Sequence, residues 1–135
     1  MRDILFRGKR LSDNEWIYGY LADDDSINNI NEVATPNEEV YRDTVGEYTG
    51  YHDINNKRIF EGDIVKDVNT DMIGYVAWLR QEAGWCIVWR KYDSRMGHRH
   101  RGGSYECDES LKVVGNMEDN FEMIPWLNDR PWLII

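Results

Sequence analysis

The sequence predicts a mostly β protein with a minor helical part. Three observations predict it: six Trp and eight Tyr, short apolar runs separated by turn residues, and scarce helical periodicity. Aromatic and β-branched residues favour half-buried, pleated strands. Short strands at close spacing are typical of a small barrel or sandwich. A chain of 135 residues fits one domain with a core of its own.

The first part of the chain is expected to contain two strands followed by a loop. Apolar residues at 4–6 and the segment WIYGYLA at 16–22 are separated by a polar turn. Aromatic residues alternate along the second segment, which indicates a strand with both faces covered. Residues 23–39 are polar and include Pro36, so we expect a loop with at most one short element.

The middle of the chain has the clearest strand pattern. Asn55 and Asn56 separate two short runs and predict a hairpin tip, because Asn tolerates left-handed backbone conformations. Further turn residues separate the apolar runs that follow. The strands predicted in this part are residues 51–54, 58–60, 64–68, 73–79, 85–91 and 111–114. Residues 116–124 are predicted to contain one helical turn before Pro125.

Charge and the absence of targeting patterns constrain the expected cellular location of the protein and its expected partners. The formal net charge is -9, and a field of that sign repels nucleic acids and anionic membranes at long range. The opening MRDILFRGKR is charged, and no apolar run approaches the ~18 residues of a membrane span. We therefore expect a cytoplasmic protein without a membrane partner, in which Cys86 and Cys107 are reduced.

The charge is unevenly distributed along the chain. Residues 1–65 contain 7 basic against 14 acidic residues, a net charge of -7, whereas residues 66–135 contain 9 against 11. The second part includes one basic patch, composed of Arg90, Lys91, Arg95, Arg99 and Arg101. The patch fits three roles: a solvated loop, pairing with an acidic subunit surface, or binding of single-stranded nucleic acid with Tyr92 and Tyr105 stacked on bases.

Three carboxylates are the first candidates for a catalytic or cation-binding site. Asp53, Glu61 and Asp63 have side chains that can bind a hard cation or share acid–base work. The alternative is structural, because a Gly-Asp pair entering a strand, here Gly62-Asp63, commonly caps a turn. Calcium-loop spacing, a phosphate loop and a dinucleotide fingerprint are all missing from the sequence. We favour the structural role and expect no cofactor.

A second set of candidate ligands lies around the basic patch. His98, His100 and Cys107, with Cys86 further back, have side chains that bind zinc, and Cys107 with either histidine could form a nucleophile pair. The sequence lacks a Cys-x-x-Cys motif, and no oxyanion-forming turn surrounds Cys107. We therefore expect neither a metal nor a catalytic pair here, and we expect Cys86 to be a small buried residue.

The C-terminal segment PWLNDRPWLII contains apolar residues that must be buried. They either dock on their own domain or form a patch for another subunit. The candidate interface residues in this segment are Trp126, Trp132, Leu133 and Ile134.

Three motifs occur in the order in which they are found in the YopX family. They are the opening ILFRGK, the segment VGEYTGYHDINNKRIFEGDIVK at residues 45–66, and the late segment LKVVGNMEDN. The residues of the middle segment that resemble the family pattern are Glu47, Tyr48, Thr49, Gly50, Asp53, Lys57, Ile59, Phe60, Glu61, Gly62, Asp63, Ile64 and Val65. The resemblance implies a phage or prophage protein of the bacterial cytoplasm with a mostly β fold, and it supplies no established catalytic residues.

The resemblance also implies a single family domain over residues 1–135. Within it we expect a β portion at 1–60, a small SH3-like barrel at 61–116 and a C-terminal tail at 117–135. The expected function is that of a non-catalytic protein that self-assembles or binds a host or phage protein. Three alternatives remain: a nucleic-acid-associated protein using residues 90–101, an acidic protein that imitates DNA, and an enzyme built on the three carboxylates.

Overall fold

The computed structural model describes residues 4–29, 37–96 and 110–129, and it confirms the mostly β fold. In these residues the strands are β1 (Phe6–Lys9), β2 (Trp16–Asp23), β3 (Ser26–Asn29), β4 (Glu38–Glu39), β5 (Gly46–His52), β6 (Arg58–Phe60), β7 (Asp63–Asp67), β8 (Ile73–Leu79), β9 (Gly84–Val88), β10 (Asp93–Arg95) and β11 (Leu111–Asn116). The helical segments are short 3-10 turns at Arg42–Thr44, Arg80–Glu82, Phe121–Met123 and Pro125–Asp129. Of these helices, none has the length and apolar character needed to cross a membrane.

The chain divides into two compact units, Met1–Tyr48 and Thr49–Ile135. The division lies inside β5, so this strand begins in the first unit and ends in the second. The division into portions at 1–60, 61–116 and 117–135 stays a prediction.

One antiparallel sheet has six strands in the order β4-β3-β2-β1-β5-β6, and β1 to β4 lie in the first unit. Its core contains the buried side chains of Ile17, Ile27 and Val40. Gly19 of β2 lies where β3 approaches most closely. A Cβ atom at this position would lie 1.8 Å from the backbone oxygen of Asn28, so the pairing of these strands requires glycine.

The loop predicted for residues 23–39 is wrong in part, because β3 and β4 lie within it. β3 was missed because its sequence is polar apart from Ile27, which is the apolar side chain that this strand contributes to the core. Side-chain contacts with Glu38 connect β4 to its neighbours. The Asn29 amide of β3 donates a 2.8 Å hydrogen bond to the Glu38 carboxylate, and Arg10 pairs with the same carboxylate at 2.7 Å. Residues 30–36 lie outside the described residues.

The second unit contains an antiparallel sheet with the strand order β10-β9-β8-β7-β11. Apolar clusters lie on both of its faces, which explains the continuous apolar run of β9. One cluster contains Ile59, Val65, Val76, Trp85, Ile87, Trp89, Met96 and Leu111. The other contains Ile64, Tyr75, Leu79, Cys86, Val88, Ile124 and Leu127. Among the described residues this sheet is open, with β10 and β11 at its edges, and the SH3-like barrel stays a prediction.

Most predicted strands of the second unit agree with the structure. The hairpin at Asn55 and Asn56 is confirmed, and Asn56 has a left-handed φ of 62°. The strand predicted at 85–91 is too long, because the chain turns after Val88 and returns as β10, which the sequence analysis missed. The predicted helical turn is present as the 3-10 turn at Phe121–Met123.

Candidate functional site

Asp53, the first residue of the carboxylate set, accepts backbone hydrogen bonds from two separate segments of the second unit. Its side chain is buried, with 1% of its surface exposed. One carboxylate oxygen accepts hydrogen bonds from the backbone N–H groups of Asn55 and Lys57, both at 2.9 Å. The other oxygen accepts from the backbone N–H of Val113 in β11, at 2.8 Å. Asp53 therefore caps the β5–β6 turn and joins that turn to a strand 60 positions away.

The Glu61-Gly62-Asp63 segment forms the turn between β6 and β7. Gly62 has a φ of 87°, in the left-handed region that glycine adopts without strain. Its N–H donates to the carbonyl of Val76, and its carbonyl accepts from the N–H of Met117. The buried carboxylate of Asp63 accepts a 2.7 Å hydrogen bond from the N–H of Phe60. This turn thus connects three segments of the second unit.

These contacts favour a structural role for Asp53 and Asp63 over cation binding or acid–base catalysis. Asp53 and Asp63 each accept backbone hydrogen bonds, and in the described part of the chain no three His, Cys, Asp or Glu side chains are grouped to hold a metal ion. Cys86 is fully buried, and burial raises the pKa of its thiol. The other predicted zinc-type ligands, His98, His100 and Cys107, lie outside the described residues.

The part of the C-terminal segment that the structure describes, up to residue 129, packs on the sheet of the second unit. Ile124 is fully buried and Leu127 is 6% exposed, both within the same apolar cluster as β9. The half-buried Trp126 stacks on Tyr75, with 6.4 Å between the ring centroids. Among the candidate interface residues, Trp126 therefore contacts its own unit, whereas Trp132, Leu133 and Ile134 lie outside the described residues.

Replacing Leu127 by alanine tests whether this segment belongs to the core. We expect the free energy of unfolding to fall by about 2–3 kcal/mol, because the substitution leaves a cavity in an apolar cluster. The solution mass should stay unchanged. Phe121→Ala is the matched control, since Phe121 is 48% exposed and its loss should cost about 0.5 kcal/mol or less. Denaturant titration and light scattering measure both quantities, and a changed mass at unchanged stability would assign the segment to an interface instead.

The basic patch begins at the tip of the β9–β10 hairpin. The turn is closed by a 2.9 Å hydrogen bond from the Trp89 N–H to the Tyr92 carbonyl. Trp89 is fully buried, and its indole N–H donates to the Ser94 hydroxyl at 2.9 Å. Arg90 and Lys91 are exposed at the tip, and Tyr92 is 49% exposed beside them. A buried tryptophan thus anchors a turn that presents two cations and an aromatic ring to solvent.

The remaining residues of the patch are placed differently. Arg95 is an exposed residue of β10, at the edge of the described sheet, and pairs in register with Cys86. Its guanidinium lies over Gly84, where a Cβ atom would be 2.9 Å from Nη2. Arg95 therefore extends along the sheet, away from the tip. Arg99 and Arg101 lie outside the described residues.

Trp78 is an exposed aromatic residue that the sequence analysis did not single out. It is 50% exposed in β8 and meets Trp85 edge to face, with 5.3 Å between centroids and an interplanar angle of 82°. The indole nitrogen of Trp85 is buried and has no hydrogen-bond partner among the described residues. No sequence signal predicted this exposure, because it depends on which segments cover that face of the sheet.

The first unit contains an exposed acidic turn, opposite in charge to the basic tip of the β9–β10 hairpin. Asp23, Asp24 and Asp25 lie at the end of the β2–β3 hairpin and are exposed. A hydrogen bond with the Asp23 carboxylate raises the pKa of Asp25, whereas the Asp25 backbone N–H lowers the pKa of Asp23. Asp24 forms an exposed ion pair with Arg42. The turn is therefore a concentration of negative charge with one close cation.

Comparison with known protein families identifies the chain. The sequence model of the YopX protein family matches residues 5–124, which is most of the chain. The protein belongs to the YopX family. A comparison with curated proteins gives no match.

The resemblance noted in the sequence is confirmed by this match, which extends through both compact units of the YopX protein. The match ends at Ile124, a buried residue of the apolar cluster on one sheet face. The family signature, from Glu47 to Val65, coincides with the two turns held by Asp53 and Asp63. In this YopX protein, Asp53 and Asp63 of the signature accept backbone hydrogen bonds within those turns.

Proposed function

We propose that this YopX protein is a non-catalytic binding protein that self-assembles through the β9–β10 hairpin. The observation that carries the proposal is the display of Arg90, Lys91 and Tyr92 on a turn fixed by Trp89. The chain has a net charge of -9, so another copy of the same chain is an abundant acidic partner. The same hairpin is suited to an acidic surface of a host or phage protein.

The non-catalytic part of the proposal rests on how the carboxylates are used. A general acid or base must reach a substrate proton. Asp53 is buried with three backbone donors around its two oxygens, and Asp63 is buried against the N–H of Phe60. These contacts stabilise turns and leave little carboxylate surface for a substrate.

A protein partner is favoured over nucleic acid by the overall charge. The two tip cations form a small basic area on a strongly acidic chain, whose long-range field repels phosphates. Exposed ion pairs each contribute only about 0.2–1 kcal/mol. In this proposal the two cations determine which partner is chosen, and the exposed ring of Tyr92 provides the apolar area that is buried in the contact.

Membership of the YopX family supports a phage or prophage origin and action in the bacterial cytoplasm. Both are proposals for this chain.

Charge reversal at the hairpin tip tests the proposed function. We expect the wild-type protein to form a discrete oligomer at low salt whose mass falls as salt is added, because screening weakens exposed charge pairs. The double variant Arg90→Glu with Lys91→Glu should be monomeric under the same conditions. Size-exclusion chromatography with light scattering gives the mass, and circular dichroism verifies the fold.

The matched control is Lys57→Glu with Lys112→Glu, which makes the same charge change at two exposed lysines of the same unit. It should assemble as the wild type does. A wild-type protein that is monomeric at low salt would contradict self-assembly. A mass that rises only when a short single-stranded oligonucleotide is added, and falls with salt, would assign the hairpin to nucleic acid.

A further inference from the structure

We draw no further inference here: the strongest candidate, the surface patch on one face of the second unit's sheet where the exposed ring of Trp78 meets Trp85 edge to face, is an apolar face for which nothing in the described part of the structure shows what covers it.

Discussion

Replacing Asp53 by alanine is expected to lower the free energy of unfolding by about 3–5 kcal/mol, because three backbone N–H groups lose their acceptor in a site with 1% exposure. Two of these groups lie in the β5–β6 turn, where water can replace part of the loss. The third, on Val113, lies in β11 at the irregularity between Val113 and Gly115, and it loses its connection to that turn. Denaturant titration followed by circular dichroism measures the effect.

The isosteric variant Asp53→Asn distinguishes the stability lost with the hydrogen bonds from the stability lost with the side-chain volume. Asparagine keeps one acceptor oxygen but places an NH₂ group against a backbone donor, so we expect an intermediate loss of about 1–3 kcal/mol. Glu118→Ala is the control, since Glu118 is an exposed carboxylate of the same unit. A loss of stability at Asp53 no larger than at Glu118 would refute the structural role and return Asp53 to the list of candidate functional carboxylates.

Replacing Trp89 by alanine is expected to destabilise the second unit by about 3–5 kcal/mol, because the indole is fully buried in the apolar cluster of one sheet face. The substitution also removes the bond to Ser94 that joins the two sides of the β9–β10 hairpin. Assembly through the hairpin tip should weaken even in the fraction that stays folded. Thermal and denaturant unfolding give the stability, and light scattering gives the mass.

Two variants make this prediction specific. Trp89→Phe keeps an aromatic ring and removes the indole N–H, so its expected cost is nearer to 1 kcal/mol for the lost hydrogen bond, plus the smaller ring volume. Trp78→Ala is the matched control in the same sheet, since Trp78 is 50% exposed and its edge-to-face contact with Trp85 contributes about 0.5–1.5 kcal/mol. Equal losses at Trp78 and Trp89 would mean that burial of Trp89 does not anchor the hairpin.

Features that depend on neighbouring residues could be predicted from the sequence. The hairpin at Asn55 and Asn56 follows from the tolerance of asparagine for left-handed backbone, and the structure has Asn56 in that conformation. β8 occupies the predicted residues 73–79, because a continuous apolar run between turn residues is a local signal. β3 and β4 escaped prediction because both are short and polar, and Glu38 of β4 is held by Arg10, which lies 28 positions away.

The candidate site was predictable only in its composition. The basic patch is visible as a run of arginine and lysine, but the sequence does not show that Arg90 and Lys91 occupy a turn whereas Arg95 lies over Gly84. The turn at Trp89 lies within an apolar run that continues the pattern of β9, so its position depends on the hydrogen bonds to Tyr92 and Ser94. Exposure of Trp78 likewise depends on which segments cover its sheet face.

The sequence by itself determined the mostly β class, the family, the acidic balance of the chain and the hairpin of the signature, because each depends on composition or on residues adjacent in the chain. The tertiary structure alone decided the role of Asp53, whose third donor lies 60 positions away, and the burial of Leu127 against the sheet. It also decided which cations stand at the hairpin tip. These depend on contacts between segments far apart in sequence, and local periodicity contains no record of such contacts.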